Sequence, residues 1–109
     1  MSKEYFFLDE YPLQNGKYSI RANFENFNLK YTTGSYNLIV ARVMGLHYAD
    51  YLRMARDELG ADIIGKGHRY PVALYPKTKE VDQFLKLLNK RAEAINKFNE
   101  EIKDNLKSF

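Results

Sequence analysis

From Lys77 to Phe109 the chain contains neither proline nor glycine, and across that run Val81, Leu85, Leu88, Ala92, Ile95, Asn99, Ile102 and Leu106 recur at alternating spacings of four and three. Side chains at those intervals fall on one face of a helix, so the segment predicts a single helix from Lys79 to Lys107 with an apolar seam of heptad type. Thr78 stands where a side-chain oxygen can accept the first free amide. At 1.5 Å per residue such a helix runs about 43 Å. A domain of roughly 100 residues has a radius of gyration near 13 Å, about 26 Å across, so the far end of the helix should overhang or meet another chain. A homodimer through residues 79–107 is one outcome, and Asn99 is then the seam residue that fixes register in a parallel pair. The flanking positions, Phe84, Arg91, Phe98 and Asn105 against Asn89, Asn96 and Lys103, offer almost no complementary charge. Asp82 with Lys86 and Glu93 with Lys97 give i,i+4 support to the exposed face.

The rest of the 109 residues must supply the surface that this helix packs against, and the length suits one domain, residues 1–109, rather than two. From Lys17 to Phe24 apolar Tyr18, Ile20, Ala22 and Phe24 alternate with polar neighbours, and Asn15-Gly16 precedes them as a turn signal. This predicts a strand returning from Tyr5–Leu8. The same stretch reads a second way, because Ile20, Phe24, Phe27 and Tyr31 are spaced as on a helix, so residues 20–31 stay open between strand and helix. Residues 1–34 form the β-rich part.

Residues 35–75 hold a helix pair and a hairpin. Leu38, Ile39, Val40, Val43 and Met44 make one apolar group, Gly45 interrupts, and Tyr48, Tyr51, Leu52, Ala55 and Leu59 make another at helical spacing. Ser35 can cap the first helix, and Gly60 can end the second in the left-handed conformation. Ala61–Ile64 and Tyr70–Tyr75 then read as strands joined by a basic tip, with Pro71 marking the second as an edge strand. The fold class expected is α+β: N-terminal strands, a central helix-turn-helix-like pair, a β-hairpin and a long C-terminal helix.

Composition excludes more than it assigns. No cysteine is present, so a disulfide framework or thiolate metal site is ruled out, and the acidic, short apolar run at the N-terminus does not read as a signal peptide. A cytoplasmic protein is expected. Seventeen Lys and Arg against fourteen Asp and Glu give a net charge of +3, which permits nucleic-acid contact without demanding it.

Gly60–Gly67 has the spacing of a phosphate-binding loop, Gly-x-x-x-x-Gly-Lys, but Gly67 stands where a hydroxyl residue must bind magnesium and Pro71 where a helix must propagate. Gly65 and Gly67 read better as turn residues that carry Lys66, His68 and Arg69 outward. His47 and His68 have no cysteine or histidine at ligand spacing. No enzyme activity, no cofactor and no metal are expected.

The helix pair carries the more specific pattern, although the same residues also read as a plain helical hairpin whose glycine turn is merely a turn. With Asn37 as the first residue of a helix-turn-helix unit of about twenty, Val40, Ala41, Met44, Gly45, Leu46 and Met54 fall where small, turn-opening or buried apolar residues belong. Tyr51 is the poor fit, because a phenol in that buried place must find a partner for its hydroxyl. On this reading residues 35–44 support, and residues 47–59 recognise. His47, Tyr48, Ala49, Leu52, Arg53 and Arg56 face a groove or partner, and the tip with Lys66, His68 and Arg69 forms a wing against phosphates.

The run Tyr36-Asn37-Leu38, Val40-Ala41-Arg42, Gly45-Leu46, Tyr48, Asp50-Tyr51-Leu52-Arg53, Arg56-Asp57, Gly60-Ala61 and Ile63-Ile64-Gly65-Lys66 resembles small uncharacterised proteins of phages and prophages of Gram-positive bacteria. The resemblance covers about a third of the chain and carries no site residues. It implies a setting in which small proteins regulate transcription, assist DNA metabolism or inhibit host defence. The leading expectation is a non-enzymatic nucleic-acid-binding accessory or regulatory protein of a phage or mobile element, acting on duplex DNA in the host cytoplasm; the alternatives are a small anti-CRISPR-type inhibitor that binds a host nucleic-acid-binding protein and a virion or scaffold component built around the long helix.

Overall fold

The computed structural model of the chain describes residues 4–23, 36–65, 67 and 71–107. In chain order they form β1 (Phe6–Glu10), β2 (Lys17–Ala22), α1 (Tyr36–Met44), α2 (Tyr48–Leu59), β3 (Asp62–Ile64), β4 (Val72–Pro76) and α3 (Lys79–Lys107). This is the expected α+β order.

β1 and β2 pair as an antiparallel hairpin in which Phe6 lies opposite Ala22 and Leu8 opposite Ile20. Gly16 supplies the positive φ that the turn needs. The period-two pattern does what it should: Ile20 and Ala22 are buried while Arg21 is exposed and bonds Asp9 at 2.9 Å on the other face. The strand ends at Ala22, and the amide of Asn23 donates to the carbonyl of Tyr5 at 2.8 Å. The alternatives for residues 24–31 and the cap assigned to Ser35 lie outside the described residues.

The sheet order is β1-β2-β4-β3, which corrects the expectation that Pro71 marks an edge strand. Pro71 precedes β4 instead of sitting within it, and Pro76 closes the strand, so neither proline interrupts the ladder between Val72 and Tyr75. Ala73, Leu74 and Tyr75 are consecutive and all buried, the mark of a strand covered on both faces. β3 is the edge.

α1 ends at Gly45, whose φ of +71° lets the Gly45 amide reach the Arg42 carbonyl at 3.0 Å and the Leu46 amide reach that of Ala41 at 2.9 Å. Val40, Ala41 and Val43 are buried, as the helix-pair pattern requires. Leu46 is not: at 37% exposure it stays outside the angle that it was expected to fill.

Thr78 caps α3 by accepting the Val81 amide at 3.3 Å. Its core-facing residues are Val81, Phe84, Leu88, Ala92 and Asn96, with Leu85 and Ile95 half-buried beside them. The spacing is 3, 4, 4, 4, the drift of a straight helix lying on a globular core rather than the strict heptad of a supercoil. Phe84, read from sequence as a flanking residue, is inside. Beyond Asn96 the described side chains Lys97, Phe98 and Glu101 are exposed, while the helix continues to Lys107, roughly another 16 Å. The principal extents, 51 × 33 × 23 Å, reflect that overhang.

Candidate functional site

α2 lies over β4 and β3 because its buried pair, Tyr51 and Ala55, sits one turn apart on one side. Tyr48, Leu52, Met54 and Leu59 complete the inward face. His47, Ala49, Asp50, Arg53, Arg56 and Asp57 are left on the outward one. His47 stands at the N-cap in extended conformation without a side-chain cap bond, so its imidazole is on the surface and not engaged with the helix end.

The phenol that fits the helix-turn-helix pattern poorly has found its partners. The Tyr51 hydroxyl donates to Asn37 Oδ1 at 3.2 Å and lies 2.5 Å from the Tyr75 hydroxyl, so one buried chain of polar groups ties α1, α2 and β4 together. Burial pushes both phenols up, Tyr51 well above the usual tyrosine range, with the neighbouring Tyr75 adding to the effect. These hydroxyls stay neutral and serve as hydrogen-bonding groups, closed to solvent.

Tyr48, expected on the contact surface, instead turns inward: it is half-buried, packs beside Tyr51 at a ring distance of 6.1 Å, and its hydroxyl donates to the Pro71 carbonyl. Pro71 is the residue at which the segment bearing Lys66, His68 and Arg69 returns to the sheet. That segment leaves at Gly65, φ +76°, and contains Gly67, φ +97°. Tyr48 therefore ties Pro71, the residue that leads into β4, to the first turn of α2. Lys66, His68 and Arg69 themselves lie outside the described residues.

Arg53 and Arg56 share the exposed stripe of α2, as expected, but each has an acid beside it. Arg53 lies 3.6 Å from Asp50, and Arg56 lies 2.8 Å from Asp57. Hydrogen bonding to Asp57 raises the Arg56 guanidinium, and the same bond holds the Asp57 carboxyl below its usual range. With Glu58 also exposed, the helix carries three acids and two arginines, so its own charge does not draw a polyanion. Both pairs are open to water and exchange readily with a competing anion.

Sequence reasoning missed a shallow groove of about 410 Å³ between Arg56, Gln14 and residues 61–64. Gln14 belongs to the β1–β2 turn, and Lys17 beside it reaches Asp62 of β3 at 3.0 Å. Only the pairing of β2 with β4 brings that turn to β3, so no local pattern marks the groove. Among the described residues no three His, Asp or Glu side chains converge as metal ligands, and no helix is long and apolar enough to cross a membrane. The described residues of the Gly60–Gly67 stretch are a helix cap, a strand and a turn, and among the described residues no helix N-terminus follows that strand to receive a phosphate.

Comparison with protein-family models, with curated proteins and with solved structures yields no match in any of the three.

Proposed function

We propose that the chain is a non-enzymatic nucleic-acid-binding protein that presents α2 and the adjoining β3–β4 loop to duplex DNA. The observation that supports this reading is the Tyr48 bond to Pro71, which ties the residue leading into β4, the one that follows a sequence rich in Lys, His and Arg, to the first turn of α2. Topology supports it as an analogy: β2, α1, α2, β3 and β4 follow one another with β4 lying between β2 and β3, an order that winged helix-turn-helix units use. In such an arrangement the helix meets the groove, and the wing meets the backbone. Because α2 has no net positive charge, Lys66, His68 and Arg69 supply most of the attraction. Arg53 and Arg56 exchange their acids for phosphate once contact is made.

Three or four phosphate contacts give log K a slope of about −3 to −4 against log salt. The test is anisotropy of a labelled random duplex over a salt series, with Lys66→Ala/Arg69→Ala as the comparison. The expected result is retention at low salt and a slope shallower by about 2 in the double variant, with the thermal midpoint unchanged. No retention at the lowest salt would remove the reading.

A second reading rests on a specific observation, the mixture of Asp50, Arg53, Arg56 and Asp57 along one exposed stripe. Mixed charge suits a protein partner better than a polyanion. In this form the protein is an inhibitor of anti-CRISPR type that docks α2 on a host defence nuclease. Inhibition of target cleavage by purified protein, lost in Asp50→Lys/Asp57→Lys, is the result expected of it.

A further inference from the structure

α3 carries an apolar stripe that the core does not use. Leu87 and Phe98 are 63% and 61% exposed, and Ala94, also exposed, follows the first by seven residues and precedes the second by four. At 3.6 residues per turn the three fall within an arc of about 40°, along roughly 16 Å of helix. The buried Val81, Leu88 and Ala92 lie about 100° or more around the helix from that arc. Arg91 marks one border, where its Nε donates to the Val43 carbonyl at 2.5 Å and holds α1 alongside. Gly45 packs beside the same guanidinium, and Leu46 after it is exposed as well.

The other border is a row of lysines. Lys86, Lys90 and Lys97 are exposed about 60–100° around the helix from Leu87. Residues 86–98 hold four cations, Lys86, Lys90, Arg91 and Lys97, against one acid, Glu93, so this stretch has a net charge of +3, as much as the whole chain. Glu93 lies on the far side of the lysine row and 3.9 Å from Lys97. Lys86 and Lys90 have no carboxylate in ion-pair contact among the described residues. They stand four apart, a spacing at which like charges destabilise a helix until an anionic surface covers them.

We propose that this side of α3 lies on an anionic lipid surface, with Leu87, Ala94 and Phe98 beneath the headgroups and Lys86, Lys90 and Lys97 among their phosphates. Lysines flanking an apolar arc at this angle run their stems along it and keep their ammonium groups at the polar level. A lipid surface uses both rows, whereas a nucleic-acid backbone takes the lysines and leaves Leu87 and Phe98 in water. A protein partner must match the shape of what it covers, and the stripe is a convex ridge on a single helix; a lipid surface needs no such match. Lying on a membrane differs from crossing one, for which no described helix is apolar enough. The site is separate from α2, which lies over β3 and β4 while α3 lies at the opposite edge of the sheet, against β1. It therefore stands whether or not α2 meets nucleic acid.

The test is flotation of the full chain with vesicles of phosphatidylcholine containing phosphatidylglycerol, beside vesicles of phosphatidylcholine alone. Binding to the anionic vesicles at low salt is expected, with loss at high salt and none to the neutral ones. Lys86→Gln/Lys90→Gln/Lys97→Gln should weaken it on the order of a hundredfold. Leu87→Ala/Phe98→Ala should weaken it at least about tenfold. The chain has no tryptophan, so Phe98→Trp supplies a single reporter whose emission should move to the blue and be quenched by lipids brominated in the acyl chain. All these positions are exposed, and circular dichroism verifies that each variant keeps its helix content. No flotation of the wild type at low salt, or equal flotation with neutral vesicles, would overturn the proposal. So would anionic flotation that Leu87→Ala/Phe98→Ala leaves intact with the Phe98→Trp emission unmoved, since α3 would then be a surface for any polyanion, nucleic acid included. Lys66→Ala/Arg69→Ala should float as the wild type does; loss of flotation in that variant, with the α3 variants unaffected, would place the contact elsewhere and sink the assignment to α3.

Discussion

Tyr51 shows at the scale of one residue how a misfit in a pattern becomes a structural requirement. Its hydroxyl serves both Asn37 and Tyr75, so Tyr51→Phe removes the oxygen and leaves two buried groups without their partner. A loss of about 1–3 kcal/mol follows, which for a domain of this size lowers the midpoint by roughly 5–15 °C in a thermal melt. An unchanged midpoint would show that the network contributes nothing to stability. The same site sets an alkaline limit. Both phenols have folded pKa values raised above the unfolded value, so the stability they give is complete below about pH 10 and is lost as pH climbs from there toward the folded values, while the unfolded chain ionises first. Stability measured by urea titration should fall with rising pH above about 10, less steeply in Tyr51→Phe/Tyr75→Phe.

At the scale of elements, the contact between α3 and the sheet turns on Asn89. Its Oδ1 accepts the amides of Tyr5 and Phe6, both at 2.7 Å, and its Nδ2 donates to the carbonyls of Phe6 at 3.0 Å and Leu85 at 3.1 Å. One side chain thereby ties the start of β1, an outer strand of the sheet, to α3. Asn89→Ala should cost about 2–4 kcal/mol, a fall in midpoint on the order of 10 °C or more, and should increase aggregation on heating. Hydrogen exchange locates the cause: the amides of Tyr5 and Phe6 should lose protection in the variant before those of β4 do.

At the scale of the molecule, α3 divides into a half that builds the domain and a half that projects from it. The last buried side chain among the described residues is Asn96. A chain ending after Phe98 should therefore keep its midpoint within a few degrees, as surface changes usually do. A midpoint reduced as far as by Asn89→Ala would mean that the projecting half is part of the core.

Local chemistry was enough to determine the elements that the structure describes, except the end of β2, where residues 20–22 read as strand or as helix. The 3.6-residue period of α1, α2 and α3, the Thr78 cap, the left-handed glycines at positions 45 and 60 and the alternation along β2 each depend on contacts within a few residues, and those are written in order along the chain. The tertiary structure alone decided which strand is central. Val72–Tyr75 is an uninterrupted apolar run, which suits burial on both faces, yet Pro71 beside it pointed to an edge. What settles the matter is the pairing of Tyr75 with Tyr18, fifty-seven residues earlier. The same holds for the site. Arg53 and Arg56 could be placed on one exposed face from spacing, but Tyr48 turns inward because Pro71 lies within reach of its hydroxyl, and the groove beside Arg56 exists because the β1–β2 turn arrives at β3. Periodicity is set by neighbours along the chain, whereas strand order and side-chain partners depend on residues far apart in it, whose approach is set by how the whole core closes.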